Sequence, residues 1–147
     1  ASEPSMDDLE RAKAALFADD AFGCVACRSD ETLNGTGHGV RPLLQWLSSG
    51  RSLAGFSAAD RVVGKAAALL YARLGVEAVY ARIMSEEGLA MLQLYGIASS
   101  YEQLVPMILN RSGDGMCPIE RSVQAIVDPV AAVPAIRAAV ARLMTGR

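Results

Sequence analysis

The densest group of side chains able to do chemistry is Asn110-Arg-Ser-Gly-Asp-Gly-Met-Cys-Pro-Ile-Glu120. Gly113 and Gly115 let the backbone take positive φ or approach a ligand closely. Pro118 suits the first position of a helix, which makes Cys117 its N-cap. A helix start offers free N–H groups and a positive partial charge, which hold an anion or lower a thiol pKa. Cys117 is therefore a candidate nucleophile, with Asp114 and Glu120 as flanking acid–base groups and Asn110 and Arg111 as ligand contacts. The same residues also read as structure alone. Glu120, at the third helical position, would reach back to the N-cap amide, and Cys117 would be a small buried residue.

A second group lies in Ser57-Ala-Ala-Asp-Arg-Val-Val-Gly-Lys-Ala-Ala-Ala68. This segment reads as the start of the chain's strongest helix, Ala58 to about Leu74, capped by Ser57 and stopped by Gly75. On such a helix Arg61 and Lys65 share a face and repel by a few tenths of a kcal/mol. Gly64 in its interior would cost about 1 kcal/mol relative to Ala. Both costs are explained if a ligand approaches the backbone at Gly64 and Lys65 meets an anion. Lys65→Ala should then weaken binding and leave stability nearly unchanged. The plainer alternative is a solvated cationic edge with Gly64 at a close-packing point. A third group, Ser85-Glu-Glu-Gly88, follows a strand expected over Glu77–Met84. Open α/β sheets bind ligands at such strand ends. A Ser85 cap with Glu86 and Glu87 at the positive helix end explains it equally well.

Cys24-Val-Ala-Cys27 has the spacing of a redox or metal pair, but its flanks read as a strand. Side chains three apart on a strand point to opposite faces, so burial of at least one as a small core residue is the better reading. His38 is the only histidine, which excludes any zinc site with two histidine ligands, HExxH included. It lies among Gly35, Gly37 and Gly39 and reads as an exposed loop residue. An odd number of cysteines and an N-terminus without basic and apolar signal regions point to a reduced, cytoplasmic protein.

Elements to position these groups can be read along the chain. Ser5 caps a first helix ending near Asp19, with Leu9, Ala12 and Leu16 inward. A hairpin follows, Ala21–Arg28 and Glu31 to about His38, irregular at its glycines. A short helix over Pro42–Ser49 stops at Gly50. After the long helix and the Glu77–Met84 strand, which reads as central, come a helix Glu86–Leu94, a weaker strand Ile97–Val105 and the glycine-containing loop. Pro118 starts one helix and Asp128-Pro129 another, with Pro134 one turn inside it. The order predicts an α/β domain with a mixed sheet of four or five strands and helices on both faces.

One domain is what 147 residues afford, and a core of that size needs no disulfide or metal to fold. Lys+Arg 14 against Asp+Glu 16 gives a net charge of −2. That argues against nucleic acid as a partner, since phosphate neutralisation needs a basic surface. The longest uncharged run, Gly88–Tyr101, is well short of the about 20 apolar residues that span a membrane.

Read together, Gly39-Val-Arg-Pro-Leu-Leu44, Asp60-Arg-Val-Val-Gly-Lys-Ala-Ala-Ala-Leu-Leu70, Val79-Tyr-Ala81, Ser85-Glu86, Leu104-Val-Pro106 and Asn110–Glu120 resemble a prokaryotic family of unknown function. The resemblance runs from about Leu9 to Pro129 and implies a cytidine-deaminase-like three-layer α/β/α fold, which agrees with the order of elements. The wider superfamily uses zinc held by H-x-E and P-C-x-x-C at two helix starts. By order of elements those starts hold Gly64-Lys-Ala66 and Ser85-Glu-Glu-Gly88, without His or Cys. No metal and no cofactor are therefore expected, and deaminase activity does not follow from the fold. The leading expectation is a small anionic or nucleotide-like ligand in a zinc-free cleft formed by Gly64, Lys65, Ser85, Glu86 and the Asn110–Glu120 loop, with or without catalysis. The alternative is a non-catalytic regulatory or protein-interaction domain. It gains if the loop's polar residues are tied up internally. A homo-oligomer is compatible with either.

Overall fold

The computed structural model describes residues 4–37 and 39–145, and side chains from residue 8 onward. His38 and the Ser5 side chain lie outside those limits. Eleven elements follow in order: α1 (Pro4–Ala18), β1 (Phe22–Arg28), β2 (Glu31–Thr36), α2 (Arg41–Ser48), β3 (Ser57–Val63), α3 (Lys65–Leu74), β4 (Ala78–Ser85), α4 (Glu86–Leu94), β5 (Ala98–Val105), α5 (Pro118–Arg121) and α6 (Pro129–Met144). The five strands form one mixed sheet in the order β2-β1-β3-β4-β5. β1 runs antiparallel to β2 and β3, while β3, β4 and β5 are parallel. The hairpin therefore forms one side of the sheet, and its register shifts between Phe22 and Cys24.

Each sheet face carries its own core. α1 covers one face, where Ala12 and Leu16 pack on Val25, Cys27, Ala59 and Tyr80. The other face holds the larger core, built from α2, α3, α4 and α6 over Cys24, Ala26, Ala58 and Val79. Strand alternation thus sends Cys24 and Cys27 to opposite faces, each about 1% exposed, and all three cysteines are free. Among the described residues no helix is long and apolar enough to cross a membrane.

The long helix expected from Ala58 is in fact a strand followed by a shorter helix. Ser57–Val63 pairs with β1 on one side and β4 on the other. This makes β3 the middle of the sheet and places β4 one strand from the edge. Ala58 and Ala59, strong helix formers, are instead central strand residues facing the two cores. Propensity yields here to burial on both faces. Ser57 is accordingly no cap. Gly64 is not in a helix interior but is the N-cap of α3, at φ −104° and ψ −165°. Arg61 and Lys65 share no helical face, because one lies on β3 and the other opens α3. The remaining starts and stops agree closely with expectation. The Ser85 hydroxyl accepts the Gly88 N–H at 2.9 Å, Asp128 caps α6 through Val130, and Gly75 closes α3 at φ 90°.

Candidate functional site

The carboxyl end of β3 delivers the chain into the start of α3, where two N–H groups lack helical partners. Glu120, from α5, supplies both acceptors. Its Oε1 takes the Lys65 N–H at 2.7 Å and its Oε2 takes the Ala66 N–H at 2.9 Å. The expected reach of Glu120 back to its own helix's N-cap amide is therefore replaced by a cap on a different helix. α5 has only four residues, so its own start offers the carboxylate less than α3 does. A side chain at Gly64 is incompatible with this contact, since a Cβ there would lie 2.2 Å from Oε1. Burial raises the Glu120 pKa and the nearby Glu87 charge adds to it. The two N–H bonds and the Lys65 ammonium oppose the rise.

Lys65 is only 6% exposed, and its Nζ donates to the Gln124 carbonyl at 2.9 Å. Lys65 thus braces the segment after α5 against α3. Ser85 lies nearby through Gly88, where a Cβ would stand only 2.9 Å from the Val63 carbonyl oxygen and 3.0 Å from that of Gly64. Glu86 and Glu87 point outward and are exposed. Gly64, Lys65, Ser85 and Glu120 are therefore brought together, with Glu86 at the rim.

The rest of the loop is a turn closed on itself. Asn110 Oδ1 accepts the N–H groups of Gly113 and Asp114 at 2.8 and 3.3 Å. Its Nδ2 donates to Asp114 Oδ1 at 3.0 Å. Gly113 sits at φ 76°, and a bridge between Leu109 and Met116 shuts the turn. Gly115 accepts the Asn110 N–H through its carbonyl. Cys117 is the N-cap of α5 without a side-chain capping bond. It is half-buried and borders a cavity of about 100 Å³ with Gly39, Val62, Gly64 and Glu120. Asp114 accepts from Asn110 within its own turn, and both Glu120 oxygens are engaged in the α3 cap.

Arg111 faces elsewhere. With Arg41, Gly39, Ile119, Val140 and Leu143 it lines a cavity of about 300 Å³. Arg41 also borders a cavity of about 600 Å³, with Arg137 across an apolar floor that includes Leu44, Val140 and Met144. These three arginines are exposed, and among the described residues no acidic side chain lies within salt-bridge distance of any of them. Arg41 and Arg137 carried no signal in the sequence, because two single arginines on separate helices form no motif. The buried Asp60 was legible in principle. An acid inside the run Ala58–Val63 is conspicuous once that run is read as a strand.

Lys65 and Glu86 stand at the two helix starts, and among the described residues no three His, Cys, Asp or Glu side chains cluster to hold a metal.

The elements and the site define a three-layer α/β/α protein whose α3 and α4 starts are occupied by internal side chains. The chain belongs to the DUF1893 family, a domain of unknown function whose sequence profile matches residues 12–140. It is similar to the crystal structure of a DUF1893 family protein (TM1506) from Thermotoga maritima, with 25% identity and a TM-score of 0.77 over 97% of this chain and 92% of that chain. A dCMP deaminase from the cyanophage S-TIM5, in apo form, matches with 17% identity and a TM-score of 0.46, over 68% of this chain and 99% of that chain. No curated protein matches the chain.

Proposed function

We propose that this protein binds a small anionic ligand with an apolar or nucleotide-like body in the groove between α2, α6 and the Arg111 turn, without zinc. The observation that carries this reading is the set of Arg41, Arg111 and Arg137 around adjoining cavities, none with an acidic partner among the described residues. Arginine forks suit phosphate or carboxylate groups through paired N–H donors, and the floor of Leu44, Val140 and Met144 suits an apolar body. The ligand contacts shift from Lys65 and the Asn110 turn, which are engaged internally, to Arg111 and its neighbours. Binding without chemistry is the stronger form of the reading, because the internal bonds of Asn110, Asp114 and Glu120 favour a non-catalytic domain. Three free cysteines suit a reducing, cytoplasmic setting.

Calorimetric titration with inorganic phosphate and with nucleoside 5′-monophosphates tests the proposal. A nucleotide should bind more tightly than phosphate, and the double variant Arg41→Ala/Arg111→Ala should lose at least about tenfold, or 1.4 kcal/mol. Absence of binding by every probe, or binding that survives the double variant, overturns it.

A further inference from the structure

β5 ends the sheet on one side and pairs only with β4. Parallel strands are ordinarily covered on both faces, yet residues 100–104 of β5 are all exposed. On the α1 side the packed core stops at Tyr80 of β4. Tyr101 and Leu104 are 41% and 37% exposed. The strand also lacks the devices that protect a free edge. It is eight residues long, holds a constant register against β4, and contains no Lys, Arg or Pro. Glu102 is its one charge.

The backbone shows which groups face the open edge. The Ala98 N–H donates to the Glu77 carbonyl at 3.1 Å, so Ala98 and every second residue after it turn N–H and C=O toward β4. Ser99, Tyr101 and Gln103 then turn theirs outward, where among the described residues no backbone group meets them. The side chains alternate as well. Tyr80 packs against α1 and stands in register with Ser100. Ser100, Glu102 and Leu104 therefore lie on the α1 face, with Ser99, Tyr101 and Gln103 on the other. The Tyr80 hydroxyl, 2.9 Å from Glu102 Oε2, agrees with that assignment.

We infer that β5 is the contact surface for a second copy of this chain, joined edge to edge by antiparallel β5 strands about a two-fold axis at Tyr101. The strand complements itself in that register. Tyr101 meets Tyr101 of the second copy, Ser99 meets Gln103, Ser100 meets Glu102 and Ala98 meets Leu104. Aromatic faces aromatic, hydroxyl faces amide or carboxylate, and apolar faces apolar. An axis at Glu102 would instead set two carboxylates directly opposite each other and Ser100 against Leu104. The Tyr101 pair and the two Ser99–Gln103 pairs are also those whose N–H and C=O groups point outward, so they form about six inter-chain bonds. A two-fold pair consumes both β5 edges and stops at two copies, whereas β5 added to the β2 edge of another copy would propagate. The contact uses no residue of the arginine groove.

Sedimentation velocity of the whole chain, from micromolar to submillimolar concentration, tests the inference. A concentration-dependent dimer is expected, with no larger species. Tyr101→Arg sets two like charges against each other on the axis and should weaken association at least about tenfold. Its fold, checked by circular dichroism, should not change, because the side chain is exposed. Cysteines test the register in a Cys117→Ser background. Tyr101→Cys should cross-link two chains with oxidised glutathione, since directly opposed Cα atoms about 5.5 Å apart suit a disulfide. Gln103→Cys should not, because its two copies stand about 14 Å apart along the strands. A wild-type chain that stays monomeric overturns the proposal and leaves the edge to an extended segment of a different protein. So does a Tyr101→Arg dimer as tight as wild type, or equal cross-linking of the two cysteine variants.

Discussion

Replacing Gly64 by Ala tests the central contact of the molecule. Backbone strain contributes nothing, because φ −104° and ψ −165° are open to any residue. The added Cβ would lie 2.2 Å from Glu120 Oε1, and the carboxylate, at the end of a flexible side chain, can swing aside. What is lost is the cap. Two hydrogen bonds to a charged acceptor contribute roughly 1.5–3 kcal/mol each. Part of this returns as the released carboxylate regains water, and Ala is a slightly poorer N-cap than Gly. The net cost is about 2–4 kcal/mol, or a fall of about 5–15 °C in Tm for a chain of this length. Glu120→Ala should cost a similar amount, since it removes the same two bonds. The double variant should then cost little more than either single variant. Thermal and urea unfolding by circular dichroism would measure this cycle. Contacting residues that share bonds give strongly sub-additive effects, whereas independent sites add within about 0.5 kcal/mol. Additive single effects would refute the reasoning that Gly64 exists to admit Glu120.

Lys65→Met keeps the buried stem and removes the bond to the Gln124 carbonyl, so stability should fall by about 1 kcal/mol; unchanged stability in denaturant would restore a ligand-only role for Lys65. Cys117 should alkylate with iodoacetamide in the native protein well before Cys24 and Cys27, which are about 1% exposed, and peptide-resolved mass spectrometry showing simultaneous labelling would contradict the placement of the two strand thiols. Asp60 also sets a pH dependence of stability. Its folded pKa, raised from 3.8 to about 7, means the native state holds the proton more tightly than the unfolded chain, so its contribution is full below about pH 4 and lost as pH rises through 7. Asp60→Asn should flatten that decline in Tm, and equal slopes for both proteins would refute it.

Much of the architecture was legible because its signals are local. The hairpin follows from two β-rich runs around Ser29-Asp30, and α4 from Ser85 followed by two acids. α6 follows from Asp128-Pro129. The error at Ala58–Val63 has a definite cause. Alanine is ambiguous between a helix and a strand buried on both faces, and Asp60-Arg61 imitates a charged first turn. Gly64 was the corrective signal, since a glycine that is costly inside a helix is ordinary at its N-cap. The Asn110–Glu120 loop was correctly placed as a loop before a Pro118 helix, but the partners of its side chains were not local. Nothing near Glu120 in sequence shows that its acceptors are the N–H groups of Lys65 and Ala66.

That long-range cap bears on how the fold handles anions. A helix start at the carboxyl end of a parallel strand is an anion site by default. In this chain α3 already has its anion in Glu120, fixed by two N–H bonds and excluded from water. An external phosphate or carboxylate entering there would have to displace a buried carboxylate and forfeit both bonds. The α4 start is similarly committed, with the Ser85 hydroxyl on the Gly88 N–H and Glu86 and Glu87 in its first turn. Acidic side chains at both helix starts repel any further anion. Arg41, Arg111 and Arg137 are exposed beside apolar surface, and among the described residues no acidic side chain lies within salt-bridge distance of them. On the proposed reading, an external anion is therefore directed to the α2–α6 groove and away from both helix starts.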